Sequence, residues 1–223
     1  GIALANGEHY QAVAYVSGGN MKPIGEPMES FYAALDYFKG LKEDSSLMVF
    51  KDGHPDMELL RREGGVVNFI YEDIKKEFNT PSIPQIFWME NGKGFEREQV
   101  VNLMQGRAVY REELLSREGN VYNAWMQLDT DKARDSYGNL GYRQYTDGYG
   151  FDVKAQLQEY KIAGVDNAKK LDALVEVLKN GGRPEVQVEK DGQKVKLLLE
   201  AAVRWGKLNF YREDGRPEKR EQF

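Results

Sequence analysis

Only two histidines occur in the 223 residues, His9 and His54. His54 lies in Asp52-Gly53-His54-Pro55-Asp56, where two carboxylates flank one imidazole. A neighbouring carboxylate can orient an imidazole as a base or share a metal with it. The same residues also suit a plain polar turn, and the chain carries no HExxH and no GxSxG pattern. A hydrolase-like enzyme built on His54, Asp52 and Asp56 is therefore the alternative expectation. A second cluster, Asp129-Thr130-Asp131 with Asp135, opens like a calcium loop, because alternate carboxylates converge on a hard cation. Ala133 then stands at the third ligand position, Arg134 replaces the glycine, and no Glu falls at the twelfth position. A solvated acidic loop is expected there, with neither metal nor cofactor.

The third set is basic and aromatic. Arg107, Arg143, Lys194, Lys196, Lys207 and Arg212 interleave with Tyr142, Tyr145, Phe210 and Tyr211 on stretches that read as strands. Rings stack on bases and cations meet phosphates, so such a sheet can hold single-stranded nucleic acid. No RNP-type signature accompanies it, and aromatic residues on strands serve cross-strand packing as well. The candidate nucleic-acid contacts are Arg107, Arg143, Lys194, Lys196, Lys207, Arg212 and Tyr211. No glycine pattern supports phosphate cradling, since Gly18 and Gly64 lack the lysine of a P-loop.

Charge limits the strength of such binding. The formal net charge is −5, unfavourable for polyanions. It is uneven, with 13 Lys/Arg against 10 Asp/Glu in Asn167 to Phe223 and a net of −8 before them. A weak nucleic-acid or protein partner is expected through residues 167–216. Absence of Cys excludes disulfides, thiolate metal sites and cysteine nucleophiles. No apolar run approaches the roughly 18 residues that span a bilayer, so a cytoplasmic protein without a membrane partner is expected. The chain starts at Gly1, which leaves a processed or secreted form open.

These residues need elements to position them. His9 to Ser17 alternates as a strand, and Met21 to Pro27 reads as an extended connector. Ser30 to Lys42 is a helix with Phe31, Ala34, Leu35, Phe38 and Leu41 on one stripe, followed by a strand over Leu47 to Lys51. Asp56 to Glu63 suggests helical turns, and Val66 to Phe78 a helix. A boundary is expected at Asn91 to Gly94, after a Gln85 to Met89 strand or strap. Gly94 to Arg107 is a short helix, with Val100, Leu103 and Met104 as its stripe. It runs into a hairpin, Ala108 to Ser116 and Val121 to Leu128, then a strand over Asn139 to Tyr145 and a helix over Asp152 to Tyr160. Leu171, Leu174, Val175 and Leu178 mark another helix. It is followed by a hairpin of Glu185 to Lys190 with Lys194 to Val203, and a strand over Lys207 to Arg212. On Lys194 to Val203 alternation predicts that Val195, Leu197 and Leu199 are buried while Lys194 and Lys196 are exposed.

The fold class expected is α+β. An N-terminal segment (1–90) precedes a domain (91–223) holding two similar α-β-β-β units, 94–160 and 166–215. Gly106-Arg107-Ala108-Val109 answers the Gly-Gly-Arg-Pro-Glu-Val of 181–186, and Arg117-Glu118-Gly119-Asn120 answers Lys190-Asp191-Gly192-Gln193. The stretch from Gly94 to Asp129, the Tyr142 to Asp152 segment and the closing basic-aromatic strand resemble an uncharacterised domain family. That family belongs to conjugative transposons and mobile elements of Bacteroidetes-type bacteria. The resemblance covers about 94–214 and implies an accessory role beside topoisomerase-linked and anti-restriction-like modules. The leading expectation is a non-enzymatic binding module.

Overall fold

A computed structural model of the chain describes residues 9–15, 20–51, 56–70, 85–87 and 94–223. Among them are four α-helices and three antiparallel sheets, and the chain divides into two compact units, Gly1–Thr80 and Pro81–Phe223.

In the first unit a five-stranded sheet has the order β2-β1-β3-β4-β5. The strands are β1 (His9–Tyr15), β2 (Met21–Met28), β3 (Ser45–Phe50), β4 (Met57–Glu63) and β5 (Val66–Phe69). Helix α1 (Phe31–Gly40) starts at Ser30, whose hydroxyl accepts the Ala33 amide, and buries Ala34, Leu35 and Phe38. Arg62 donates to the Phe38 carbonyl at 3.1 Å near the helix end, its guanidinium 4.6 Å from the Phe38 ring.

Three expectations change here. Met21 to Pro27 is not an unpaired connector but edge strand β2, a position where Pro23 and Pro27 are tolerated. Asp56 to Glu63 is not helical: Met57–Glu63 is β4, and a register shift opposite Leu47/Met48 leaves Leu59 and Leu60 both buried. That bulge hides the period of two. Val66–Phe69 is strand rather than the start of a helix. Gly64 and Gly65, at φ +59° and +77°, form the two-residue turn that joins paired Glu63 and Val66. The remainder of that predicted helix, 71–78, lies outside the described residues.

The second unit carries two sheets. One is β6-β7-β8: β6 (Val109–Leu115), β7 (Val121–Leu128) and β8 (Tyr142–Thr146). The other is β12-β11-β10-β9: β9 (Glu185–Lys190), β10 (Gln193–Ala202), β11 (Lys207–Tyr211) and β12 (Pro217–Glu218). The helices are α2 (Arg97–Met104), α3 (Val153–Gln158) and α4 (Ala168–Lys179). Asp152 and Asn167 cap α3 and α4 through the amides of Ala155 and Lys170. Helix α4 buries Leu171, Leu174 and Leu178, as its spacing requires.

Leu103, Val109 and Leu128 form a core patch with Phe87, Phe95, Leu140 and Tyr142 around it. Gln85 and Ile86 bind this unit through the Leu140 backbone and the Asn139 side chain. Helix α2 departs from its predicted stripe, since Met104 is exposed and Asn102 is buried. Asn102 faces inward because it has polar work there: its amide donates to the Asn180 carbonyl at 2.7 Å.

On β10, Leu197 and Leu199 are buried and Lys194 and Lys196 exposed, as alternation predicts, but Val195 is only half-buried. Leu198, on the lysine face, is buried as well. It pairs with Tyr211 on one side and Glu185 on the other, so the middle of this strand is covered on both faces. The acidic loop after β7 is likewise not wholly solvated, because Asp129 is buried.

Candidate nucleic-acid interface

The strand register of the second unit decides where its cations go. Gln127 on β7 faces Arg143 on β8, and Trp125 faces Tyr145, so these four share one face of the β6-β7-β8 sheet. Trp125 is buried there, 5.4 Å from the rings of Tyr110 and Phe151. Arg143 lies nearer the sheet edge and lines a cleft of about 240 Å³ together with Gln127, Asp131, Glu200, Arg204 and Trp205. Arg204 and Trp205 come from a 3-10 turn, Val203–Trp205, which follows β10 and ends at Gly206 with φ +65°.

The loop after β7 folds back on Arg143. Asp129 accepts from Nε of Arg143 at 3.1 Å and from the Asp131 amide at 3.1 Å. Oδ2 of Asp131 meets Nη2 of Arg143 and also Nη1 of Arg204, the latter at 3.4 Å. Arg143 thus takes both carboxylates that open the acidic loop. Among the described residues no cluster of His, Asp and Glu could hold a metal. Burial disfavours the Asp129 carboxylate, but the Asp131 amide and Arg143 outweigh it, and its pKa falls below the ordinary aspartate value. Hydrogen bonds to Tyr145 and Asp129 hold Arg143 above the usual arginine range.

The cleft mouth is aromatic. Trp205 is 68% exposed, and the Arg204 guanidinium lies 5.1 Å from its ring. Tyr149, also exposed, donates its hydroxyl to the Arg204 carbonyl and lies 5.0 Å from Tyr145. One exposed ring and two guanidiniums thus line the cleft, with Tyr149 beside it through the Arg204 carbonyl.

The predicted contacts separate into distinct settings. Arg143 alone of the predicted set lies in this cation-and-ring cluster. Arg107 reaches the cleft wall but is 5% exposed; its Nε donates to the Gly181 carbonyl at 2.7 Å and its Nη2 to Asn102 at 2.9 Å. It ties α2 to the end of α4. Lys194 and Lys196 sit at the hairpin end of β10, opposite Glu189 and Gln187, and Lys196 is 3.9 Å from Glu185. Lys207 pairs with Ala202 at the other end of that strand. Arg212 is held by Glu218 at 2.5 Å. Tyr211 is half-buried, its hydroxyl accepting from Asn209 and its ring 5.9 Å from the Arg183 guanidinium.

Sequence reading missed Arg204, Trp205 and Tyr149. Arg-Trp-Gly after a strand was a usable signal, since a glycine ending that turn leaves the preceding tryptophan outside the pleat. Asp52 and His54 of the predicted hydrolase cluster lie outside the described residues; Asp56 alone is described, just before β4. No described helix is long and apolar enough to cross a membrane. Comparison with family models, curated proteins and solved structures finds no match to this chain.

Proposed function

We propose that this chain is a non-enzymatic accessory module of a mobile-element protein, and that its second unit binds single-stranded nucleic acid weakly in the cleft. The observation that carries this reading is the convergence of Arg143 and Arg204 with the exposed ring of Trp205 in one cleft, beside which Tyr149 is bonded to the Arg204 carbonyl. A base offers a flat face to Trp205 or Tyr149, and stacking on such a ring contributes about 1–3 kcal/mol per base. The planar guanidiniums suit phosphate oxygens. The overall charge of −5 keeps the affinity at or weaker than about micromolar.

The cleft also gives the proposed α-β-β-β repeat a purpose. Both α2 and α4 are followed by a left-handed glycine, Gly106 and Gly181, each at φ +85°. Each is then followed by a buried arginine, Arg107 or Arg183. The second hairpin strands carry Gln127 and Glu200 at matching distances from their turns. Gln127 donates to the Gly106 carbonyl at 2.7 Å, and Glu200 pairs with Arg183 at 2.9 Å. Two related units set face to face would place these equivalent residues on opposite walls of one cleft.

The test is a fluorescence titration of the full chain against labelled single- and double-stranded DNA. We expect single strands to bind more tightly at about 50 mM salt and to weaken steeply towards about 200 mM, as counterion release requires. Equal retention of both forms, or no salt dependence, would sink the reading.

A further inference from the structure

The two carboxylates that meet Arg143 differ in kind. Asp129 is buried, fixed by the Asp131 amide, and holds the inner Nε of the guanidinium. Asp131 is 63% exposed and reaches across the cleft mouth, one oxygen touching Arg143 and Arg204 together. Asp129 therefore positions Arg143, while Asp131 occupies the outward donors of both arginines. Those donors are the ones a phosphate would use beside the rings of Trp205 and Tyr149.

We propose that Asp131 is a built-in stand-in for a backbone phosphate, displaced when a single strand enters the cleft; this rests on the reading of the cleft as a nucleic-acid site. Exchange is physically easy. An exposed ion pair contributes little in water, because solvent and salt screen it. A phosphate offers several strong acceptor oxygens to two guanidiniums, where Asp131 offers one contacting oxygen. The loop from Asp129 to Gly141 keeps its shape without this contact. Asp129 holds the Asp131 amide, and Asp135 accepts the amides of Tyr137 and Asn139. The stand-in also suppresses binding of unspecific anions, since a ligand must supply both a phosphate and a ring to outcompete it.

The experiment measures affinity of the full chain for a labelled oligo-dT at about 50 mM salt. Five variants are compared: Asp131→Asn, Asp131→Ser, Asp131→Glu, Trp205→Ala and Asp214→Asn. Asp214 lies outside the cleft lining and pairs with Arg216, so it controls for the loss of one negative charge. Asn and Ser at position 131 should each tighten binding about fivefold or more, as removal of a contacting like charge implies. Glu should restore wild-type affinity, and Asp214→Asn should change it less than about twofold. If Asn and Ser gain no more than the Asp214 control, Asp131 is not a stand-in. Should Trp205→Ala weaken wild-type binding while no position-131 variant gains, the stand-in fails and the cleft reading stands. Should neither wild type nor the position-131 variants retain the oligomer, both fall.

Discussion

The two ends of strand β10 carry similar charge and different prospects. At the hairpin end Lys194 and Lys196 stand out into solvent on the strand that leaves the Asp191-Gly192 turn. At the other end Arg204 and Trp205 face Arg143 and Asp131 across a cleft, with Tyr149 bonded to the turn. The lysines are flexible point charges whose surroundings, Glu185 and Glu189, offset them. The arginines are planar guanidiniums held by Asp129, Asp131 and the Trp205 ring. Exposed charge alone does not make a site; cations, rings and a fixed geometry must converge.

The strand that joins these ends supports both of them. Leu197 is 1% exposed at the middle of β10. Truncation to Ala should cost about 2–5 kcal/mol in urea unfolding and disturb both ends together. A change under about 0.5 kcal/mol would show that the strand centre is not core.

Arg107 supports the cleft end alone. Arg107→Ala removes donors to the Gly181 carbonyl and to Asn102 in a buried setting. Hydrogen bonds from charged donors contribute about 1.5–3 kcal/mol. The unfolding midpoint should fall accordingly, and the glycine turn should lose protection in amide exchange. Unchanged stability would contradict its role as a tie between α2 and α4.

Trp205 sharpens the contrast in the opposite sense, because it is exposed. Trp205→Ala should leave stability within about 0.5 kcal/mol and weaken single-strand binding by about 1–3 kcal/mol. Loss of stability without loss of affinity would make it a structural residue.

A smaller effect comes from acid. The folded pKa of Asp129 lies below its unfolded value near 3.9, so its contribution is complete only above about pH 5. It is lost as pH falls through the folded value. Between about pH 5 and 2 the wild-type urea midpoint should fall more steeply than that of Asp129→Asn. Parallel profiles would show that the Arg143–Asp129 pair does not form.

Sequence periodicity revealed those elements in which one period was clean. Leu171, Leu174 and Leu178 announced α4, and the Asp191-Gly192 turn, both residues at positive φ, announced the β9–β10 hairpin. It failed at β4 and β5. Adjacent buried leucines at a bulge, and valine and isoleucine spaced by four, imitate a helix. For the site, Arg143 and Tyr145 were legible as neighbours on a strand. Arg204 and Trp205 were not, because they lie about sixty residues away and meet Arg143 only through packing of two sheets. Arg107 misled for the reverse reason, since sequence shows its charge and not the Gly181 carbonyl that consumes it.

The most direct test compares the two ends in one titration. Arg204→Ala/Trp205→Ala and Lys194→Ala/Lys196→Ala double variants of the full chain would be measured against the same labelled single strand at about 50 mM salt. We expect at least about a tenfold loss for the first pair, from one stacked ring and one phosphate contact. We expect less than about a twofold loss for the second, whose lysines act only at long range. A larger loss from the lysine pair than from the cleft pair would contradict the cleft reading.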